Sequence, residues 1–517
     1  MGPIVETSYG KLQGVEEHGV RVFRGIPFAQ PPVGARRFAP PQRQEPWAGV
    51  RAAARFGSAA PQNPSLLGPV LGLDLGDTSE DCLTLNVWTP APDGGRRPVL
   101  VWIHGGAFVM GGGRQVLYDG QTLARRGDVV VVTINYRLGS LGFLQLDELT
   151  DGAIPATGNE GLLDQIGALE WVRDEIATFG GDPANVTLFG ESAGSISVAT
   201  LLGTPRARGL FHRAILQSGA ANFVCSRSHA RRAAESICTE LGLDRRGAAR
   251  LRDVPAAEIL AAQQRAYLTM QGKLRGLPFA PVVDGVVLPE HPFTTITGGL
   301  STDVDVLVGT NLDEMKLFGL MDPQVRSLDA DALVRRCERV IPGEDATGTT
   351  HGRRAVVTYR RTRAKRGQRV EPAELWFAID SDRAFRYPAM RLAELQQAHQ
   401  PHTYAYLFTW PSPFMEGVLG SCHALEIPFV FGTHGHPMIT RFAGDGRAAE
   451  RLAQDMQDAW IHFAHSGRPA VAGADDWPAY DPTHRATMLF GRDTHVEDAP
   501  YEEERRFWEF WDGVIRE

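Results

Sequence analysis

Three short apolar runs constrain this chain more than any other feature. Residues 99–103 read VLVWI, 129–134 read VVVVTI and 186–189 read VTLF. Continuous β-branched runs bounded by Gly or Pro are what strands buried on both faces look like. Between the second and third, Ile166, Leu169, Val172, Ile176 and Phe179 recur at steps of three and four. That spacing puts them on one helix face. Gly180-Gly181-Asp182-Pro183 supplies the stop signal. Strand, helix, strand in this order predicts parallel pairing. Residues 20–23 alternate like a short strand, and 214–217, 304–308 and 403–408 are further strand candidates.

The sharpest chemical signal is Gly190-Glu191-Ser192-Ala193-Gly194, directly after the third run. It fits the G-x-S-x-G elbow, in which a serine sits in a strained strand-to-helix turn with its hydroxyl exposed. Small neighbours let strand and helix approach closely, and the N–H of Ala193 faces the place where an oxyanion would form. His104-Gly105-Gly106-Ala107-Phe108 follows the first run. Glycines there let backbone N–H groups approach a ligand, so Gly105 and Gly106 are the other candidate oxyanion donors. A serine hydroxyl needs a base, and the base an orienting acid. Where that elbow occurs, they follow the serine in the order acid, then histidine. That removes His18 and His104 from the fifteen histidines and leaves the choice among the rest open.

Several function classes find no support. A net charge of −8 with interspersed signs is not that of a nucleic-acid binder. The local basic run Arg360, Arg361, Arg363, Lys365, Arg366 and Arg369 reads as a solvated helix face or loop. No apolar stretch is long enough to span a bilayer, and Met1 to Gly14 is polar, unlike a secretory signal. His434 with His436, and His462 with His465, lack the further ligands a zinc site needs, so no metal is expected. No G-x-G-x-x-G or P-loop occurs, so no nucleotide cofactor is implied. The five cysteines, Cys82, Cys225, Cys238, Cys337 and Cys422, are odd in number in a large chain and read as buried free thiols. A Cys225–Cys238 bridge stays open.

The sequence resembles the type-B carboxylesterase and cholinesterase family, on its bacterial carboxylesterase side, over nearly its whole length. The resemblance runs from Gly25-Ile26-Pro27-Phe28-Ala29 through Glu80-Asp81-Cys82-Leu83-Thr84-Leu85-Asn86-Val87, Asn135-Tyr136-Arg137 and Gly161-Leu162-Leu163-Asp164-Gln165 to the elbow. It ends near Trp460 and Phe463-Ala464. It implies an α/β-hydrolase fold: a mostly parallel central sheet flanked by helices, with helical insertions forming a lid over the active site. A size rule of roughly 150 residues per domain would suggest three domains. The helical, polar stretches at about 222–300 and 315–400 instead read as insertions in one domain spanning 1–517.

The resemblance also assigns the remaining site residues. The family pattern G-T-N-x-x-E appears as Gly309-Thr310-Asn311-Leu312-Asp313-Glu314, which makes Glu314 the implied triad acid and Asp313 its rival. The family histidine, ahead of a short aromatic stretch containing an acid, is His423 in His423-Ala424-Leu425-Glu426-Ile427-Pro428-Phe429. Glu191 and Ser218 are implied supporting residues around the triad. Two departures matter. Cys82 has no upstream cysteine partner, since the matching region reads Ala59-Ala60-Pro61-Gln62, which favours a reducing, cytoplasmic setting. Pro61 to Glu80 contains no Phe, Tyr or Trp to hold a choline group and instead carries Leu66, Leu67, Leu71, Leu73 and Leu75. The expected activity is hydrolysis of small to medium uncharged esters by a monomer or weak homo-oligomer without cofactor. Alternatives are a specialised hydrolase of carbamates, amides or aromatic polyester fragments and, from another class, a catalytically silent binding protein.

Overall fold

The computed structural model describes residues 2–513 except 66–67, 69–73, 271–275 and 474–475. Among the described residues, eleven strands form the main sheet. In chain order they are β1 (Val15–Glu17), β2 (Val20–Pro27), β3 (Thr84–Thr89), β4 (Arg97–Ile103), β5 (Val130–Ile134), β6 (Gly181–Glu191), β7 (Arg213–Gln217), β8 (Asp305–Asn311), β9 (Thr403–Phe408), β10 (Ala486–Phe490) and β11 (His495–Asp498). Across the sheet the order is β1-β2-β3-β5-β4-β6-β7-β8-β9-β10-β11. From β5 to β10 all neighbours are parallel, and both edges are antiparallel. The three apolar runs are thus β4, β5 and β6, in one orientation. The second and third are not neighbours, however, because β4 lies between them.

Burial on both faces accounts for the continuous apolar runs. Val99, Val101 and Ile103 join Val130, Val132 and Ile134 in one core layer. Leu100, Trp102 and Val131 belong to the other. Each such side chain contributes about 1.5–3 kcal/mol when taken fully out of water.

The predicted helix is α1 (Glu160–Glu175), extended by a tighter turn over Ile176–Phe179 and ended at Gly180, φ 82°. Helix α2 (Ala193–Leu202) leaves the elbow, and α3 (Arg447–Ser466) packs on the opposite sheet face against β4 and β6. Registers align the carboxyl ends of the central strands. Ile103 pairs with Gly190, and Gln217 pairs with both Glu191 and Gly309. The loops after β4, β6, β7 and β8 therefore emerge side by side.

The two stretches expected as insertions are largely helical, and the last of their helices, Tyr387–Gln397, packs on the sheet face against β8 and β9. The first includes Arg227–Glu240 and Ala256–Met270, the second Ala330–Val340, His351–Lys365, Pro372–Ser381 and Tyr387–Gln397. This is the α/β-hydrolase architecture with a helical lid. All five cysteines are buried free thiols, and Cys225 Sγ donates to Leu277 O rather than bonding to Cys238. The basic run is exposed as expected, yet it is also paired. Arg361 and Lys365 bind Glu503, and Arg366 binds Glu504.

Candidate active site

Ser192 occupies the turn between β6 and α2 with φ 56° and ψ −122°. A non-glycine residue there is strained by about 1–3 kcal/mol, and its surroundings must hold it. Its N–H donates to Gln217 O at 2.9 Å, and its carbonyl accepts from Ile196 N at 2.8 Å. The glycines of the motif are needed for close approach: a Cβ on Gly194 would lie 2.0 Å from Ile103 O.

The loop after β4 lies against this turn. A Cβ on Gly105 would come within 2.7 Å of Glu191 Oε2 and 3.1 Å of Ser192 Cβ. Among the described residues, the N–H groups of Gly105 and Gly106 donate no hydrogen bond. The N–H of Ala193, first in α2, has no acceptor within its helix and carries the positive end of the helix dipole. Several contacts fix the loop. His104 stacks on Tyr136 at 4.5 Å, and Tyr136 Oη donates to His104 O at 2.8 Å. Gln62 exchanges two hydrogen bonds with the backbone of Gly111 at 2.8 and 2.7 Å. Burial lowers the His104 pKa to about 4, so that ring is neutral near pH 7. Of the leucines in the 61–80 stretch, Leu66, Leu67, Leu71 and Leu73 lie outside the described residues. Leu75 is half-buried beside Gly112.

His423, more than two hundred residues further along the chain, comes up to Glu191, the neighbour of Ser192. Its Nδ1 is 2.6 Å from Glu314 Oε2. Glu314 is fully buried, and its other oxygen accepts the N–H of Asn311 at 2.8 Å. Asp313 turns away, accepting from Ser421 N at 3.0 Å and pairing with Lys316 at 3.1 Å. The geometry therefore sets Glu314, not Asp313, against the imidazole. On the other side, His423 Nε2 lies 3.0 Å from Glu191 Oε1. That approach lacks hydrogen-bond geometry, and Nε2 has no other partner among the described residues, Ser192 included. Burial disfavours the imidazolium, but Glu191 and then Glu314 outweigh it and hold the His423 pKa well above the usual histidine range. Burial likewise raises the Glu191 carboxyl, against the pull of His423. The cluster therefore retains a proton more firmly than its separate parts would.

Ser218 stands beside the elbow with φ 55°, its N–H donating to Gly309 O at 2.9 Å. Its hydroxyl is buried without a partner among the described residues. One site residue was not foreseen from the sequence. Glu426 is fully buried behind His423 and accepts from Asn311 Nδ2 at 2.6 Å and Gln217 Nε2 at 3.0 Å. Burial, with Glu191 and Glu314 nearby, pushes its pKa up to about 8, so it is mostly protonated at neutral pH. The acid-containing stretch 423–432 held the only signal, and nothing in it told of partners on β7 and β8.

A strained serine, unpaired backbone donors beside it, and a buried histidine gripped by a carboxylate suit acyl transfer. Comparisons with known proteins agree with that chemistry. Residues 1–508 match the carboxylesterase family. The para-nitrobenzyl esterase of Bacillus subtilis (strain 168) is 38% identical over 504 residues, covering 97% of this chain and 98% of that protein. The phenmedipham hydrolase of Pseudarthrobacter oxydans is 37% identical over 502 residues, with 95% of each covered. A solved carboxylesterase of Geobacillus stearothermophilus, at pH 6.2, has a TM-score of 0.86 at 39% identity, covering 98% of this chain and 100% of that one. With likeness of this length added to that geometry, the chain belongs to the carboxylesterase family and is a serine hydrolase of carboxylic esters.

Proposed function

We propose that Ser192, His423 and Glu314 act as nucleophile, base and orienting acid. His423 Nε2 takes the proton of Ser192 Oγ as that oxygen attacks the ester carbonyl. The N–H groups of Gly105, Gly106 and Ala193 receive the developing oxyanion. The tetrahedral intermediate collapses, His423 gives the proton to the departing alcohol, and the acyl group stays on Ser192. Water, deprotonated by His423, then releases the acid and restores the serine. Glu314 keeps Nδ1 protonated and stabilises the imidazolium. Glu191 stands by the other nitrogen, and Ser218 supports the elbow from β7.

The observation that carries this reading is the buried 2.6 Å pair between His423 and Glu314 at the edge where Ser192 is held in its strained turn. In the free protein Nε2 faces Glu191. Catalytic hydrogen bonds commonly tighten only once substrate is bound.

The substrates in this reading are small to medium uncharged esters, since Phe318 and Phe385 flank His423 with ring centroids at 5.1 and 4.9 Å. The protein acts as one domain over 1–517, with 222–300 and 315–400 as its insertions. It works without a cofactor, as a monomer or weak homo-oligomer. Free thiols at all five cysteines support a cytoplasmic setting, and no helix among the described residues is long and apolar enough to cross a membrane.

The test is hydrolysis of p-nitrophenyl acetate, butyrate and octanoate by wild type and Ser192→Ala. Wild-type activity that collapses in a folded variant is the expected result; activity that survives overturns the assignment. A para-nitrobenzyl ester, phenmedipham and butyrylcholine complete the panel, the first two because relatives are named for them. Poor use of the choline ester is expected. Preference for phenmedipham over every simple ester would favour the specialised reading.

A further inference from the structure

Within the second insertion one long helical run changes its winding without breaking. Asp382–Arg386 forms a π-helical turn between helix Pro372–Ser381 and helix Tyr387–Gln397. Such turns are rare and concentrate at functional sites. Each residue of helix rotates the chain by about 100°, so one residue of altered winding re-aims every side chain in the turn.

Buried contacts hold the turn in place. Tyr359 Oη donates to Asp382 Oδ2, and Trp508 Nε1 donates to Tyr359 Oη at 2.7 Å. Arg386 Nη2 pairs with the same Asp382 oxygen at 2.7 Å, and its guanidinium lies over the Tyr501 ring at 4.7 Å. Tyr359, Asp382 and Arg386 are all buried. From the first insertion, Asn222 Nδ2 donates to Ala384 O at 3.1 Å.

The turn carries Phe385. That ring lies 4.9 Å from His423, is parallel to Phe318 at 6.4 Å and meets Phe223 at 6.2 Å. Just before the turn, Ser381 Oγ accepts the N–H of Met315, the residue after Glu314, at 3.0 Å. The turn is thus pinned at its back by Tyr359 and the C-terminal segment, and at its front it faces the histidine.

We propose that Tyr359 is a positioning residue for ester selection. Through Asp382 it fixes the π turn, the turn fixes how far Phe385 reaches over His423, and that reach limits the acyl chain the site admits. The inference rests on His423 as the base and adds to it what sets the wall beside that base.

The experiment compares kcat/KM for p-nitrophenyl octanoate and acetate in the full-length wild type, Tyr359→Phe, Phe385→Ala and the double variant. The ratio of the two values does not depend on how much of a sample is folded. Phe385→Ala should raise the octanoate-to-acetate ratio about tenfold or more. Tyr359→Phe, which loses one hydroxyl, should raise it about threefold. In the double variant the ratio should equal that of Phe385→Ala alone, since Tyr359 has then lost the ring through which it acts. Asp382→Asn should move the ratio in the same direction as Tyr359→Phe and serves should the latter fail to fold. A ratio unchanged in Tyr359→Phe, or raised by it equally in the Phe385→Ala background, overturns the proposal. An error in the triad would appear separately, in Ser192→Ala, because the ratio is read on whatever hydrolysis the wild type performs.

Discussion

The surroundings of Ser192 and those of His423 meet at Glu191, but the two residues are held by opposite means. The serine half is built of main chain. Its turn hangs on hydrogen bonds to Gln217 and Ile196, and Gly194 and Gly105 leave no room for another atom. The histidine half is built of side chains from distant loops. Glu314 grips one nitrogen, Glu191 faces the other, Glu426 stands behind, and Phe318 and Phe385 flank the ring. A backbone-made site is sensitive to added volume and indifferent to charge. A side-chain-made site yields to shape and depends on protonation.

The largest effect should come from removing the oxygen proposed as nucleophile. Ser192→Ala should lower kcat by about a million-fold, as loss of the nucleophile does in serine proteases. Its unfolding midpoint should move by no more than about 2 °C, because the backbone contacts remain. A large drop in that midpoint would mean the hydroxyl helps to hold the turn. Next comes Glu314→Gln, for which about a ten-thousand-fold loss in kcat is expected, by analogy with the corresponding amide in a serine protease. Asp313→Asn should stay within about tenfold of wild type, a single charge-assisted hydrogen bond being at stake. Equal losses would divide the orienting role between the two acids.

Gly105→Ala probes the main-chain half, where about a 100- to 1000-fold fall in kcat is expected, the size seen when one oxyanion donor is lost. The added Cβ would also press on the Glu191 carboxylate, 2.7 Å away, so the variant's pH profile should shift as well; an unmoved profile would sharpen the contrast between the halves. The smallest and most specific effect belongs to Glu191→Gln. The carboxylate raises the His423 pKa, so without it the neutral base persists to lower pH. The acid limb of kcat/KM should therefore move to lower pH. An unmoved limb would show that Glu191 does not bear on the imidazole.

The contrast also explains what was legible in the sequence. The serine half is local: residues 186–194 announce strand, turn and small neighbours in one stretch, and 99–106 do the same. Residues 403–408 match β9 to the residue. The insertion of β4 between β5 and β6 left no local mark, because it depends on which edges pair. The edge strand β11 is mostly exposed and has no apolar run to betray it, whereas β10 carries the largely buried run Met488-Leu489-Phe490 and was passed over. The histidine half is long-range. Glu314 and His423 were identified by resemblance and not from spacing, and Glu426 went unnoticed because its partners lie on other strands. The basic run was read as solvated for the same reason: its partner Glu503 lies 138 residues beyond Lys365.

The position of β4 matters before the protein is complete. As the chain leaves the ribosome, β4 and β5 emerge well ahead of β6, the strand that must pair with the other side of β4. Until β6 arrives, the nascent sheet carries a naked apolar edge, VLVWI, with its amides and carbonyls unpaired. Exposed edges of that kind pair readily with the wrong chain, and slow, non-local strand pairing prolongs the exposure. The yield of soluble enzyme should therefore be governed by how quickly residues 181–191 are delivered, so slower growth temperatures and chaperone supply should matter more than the stability of the finished fold.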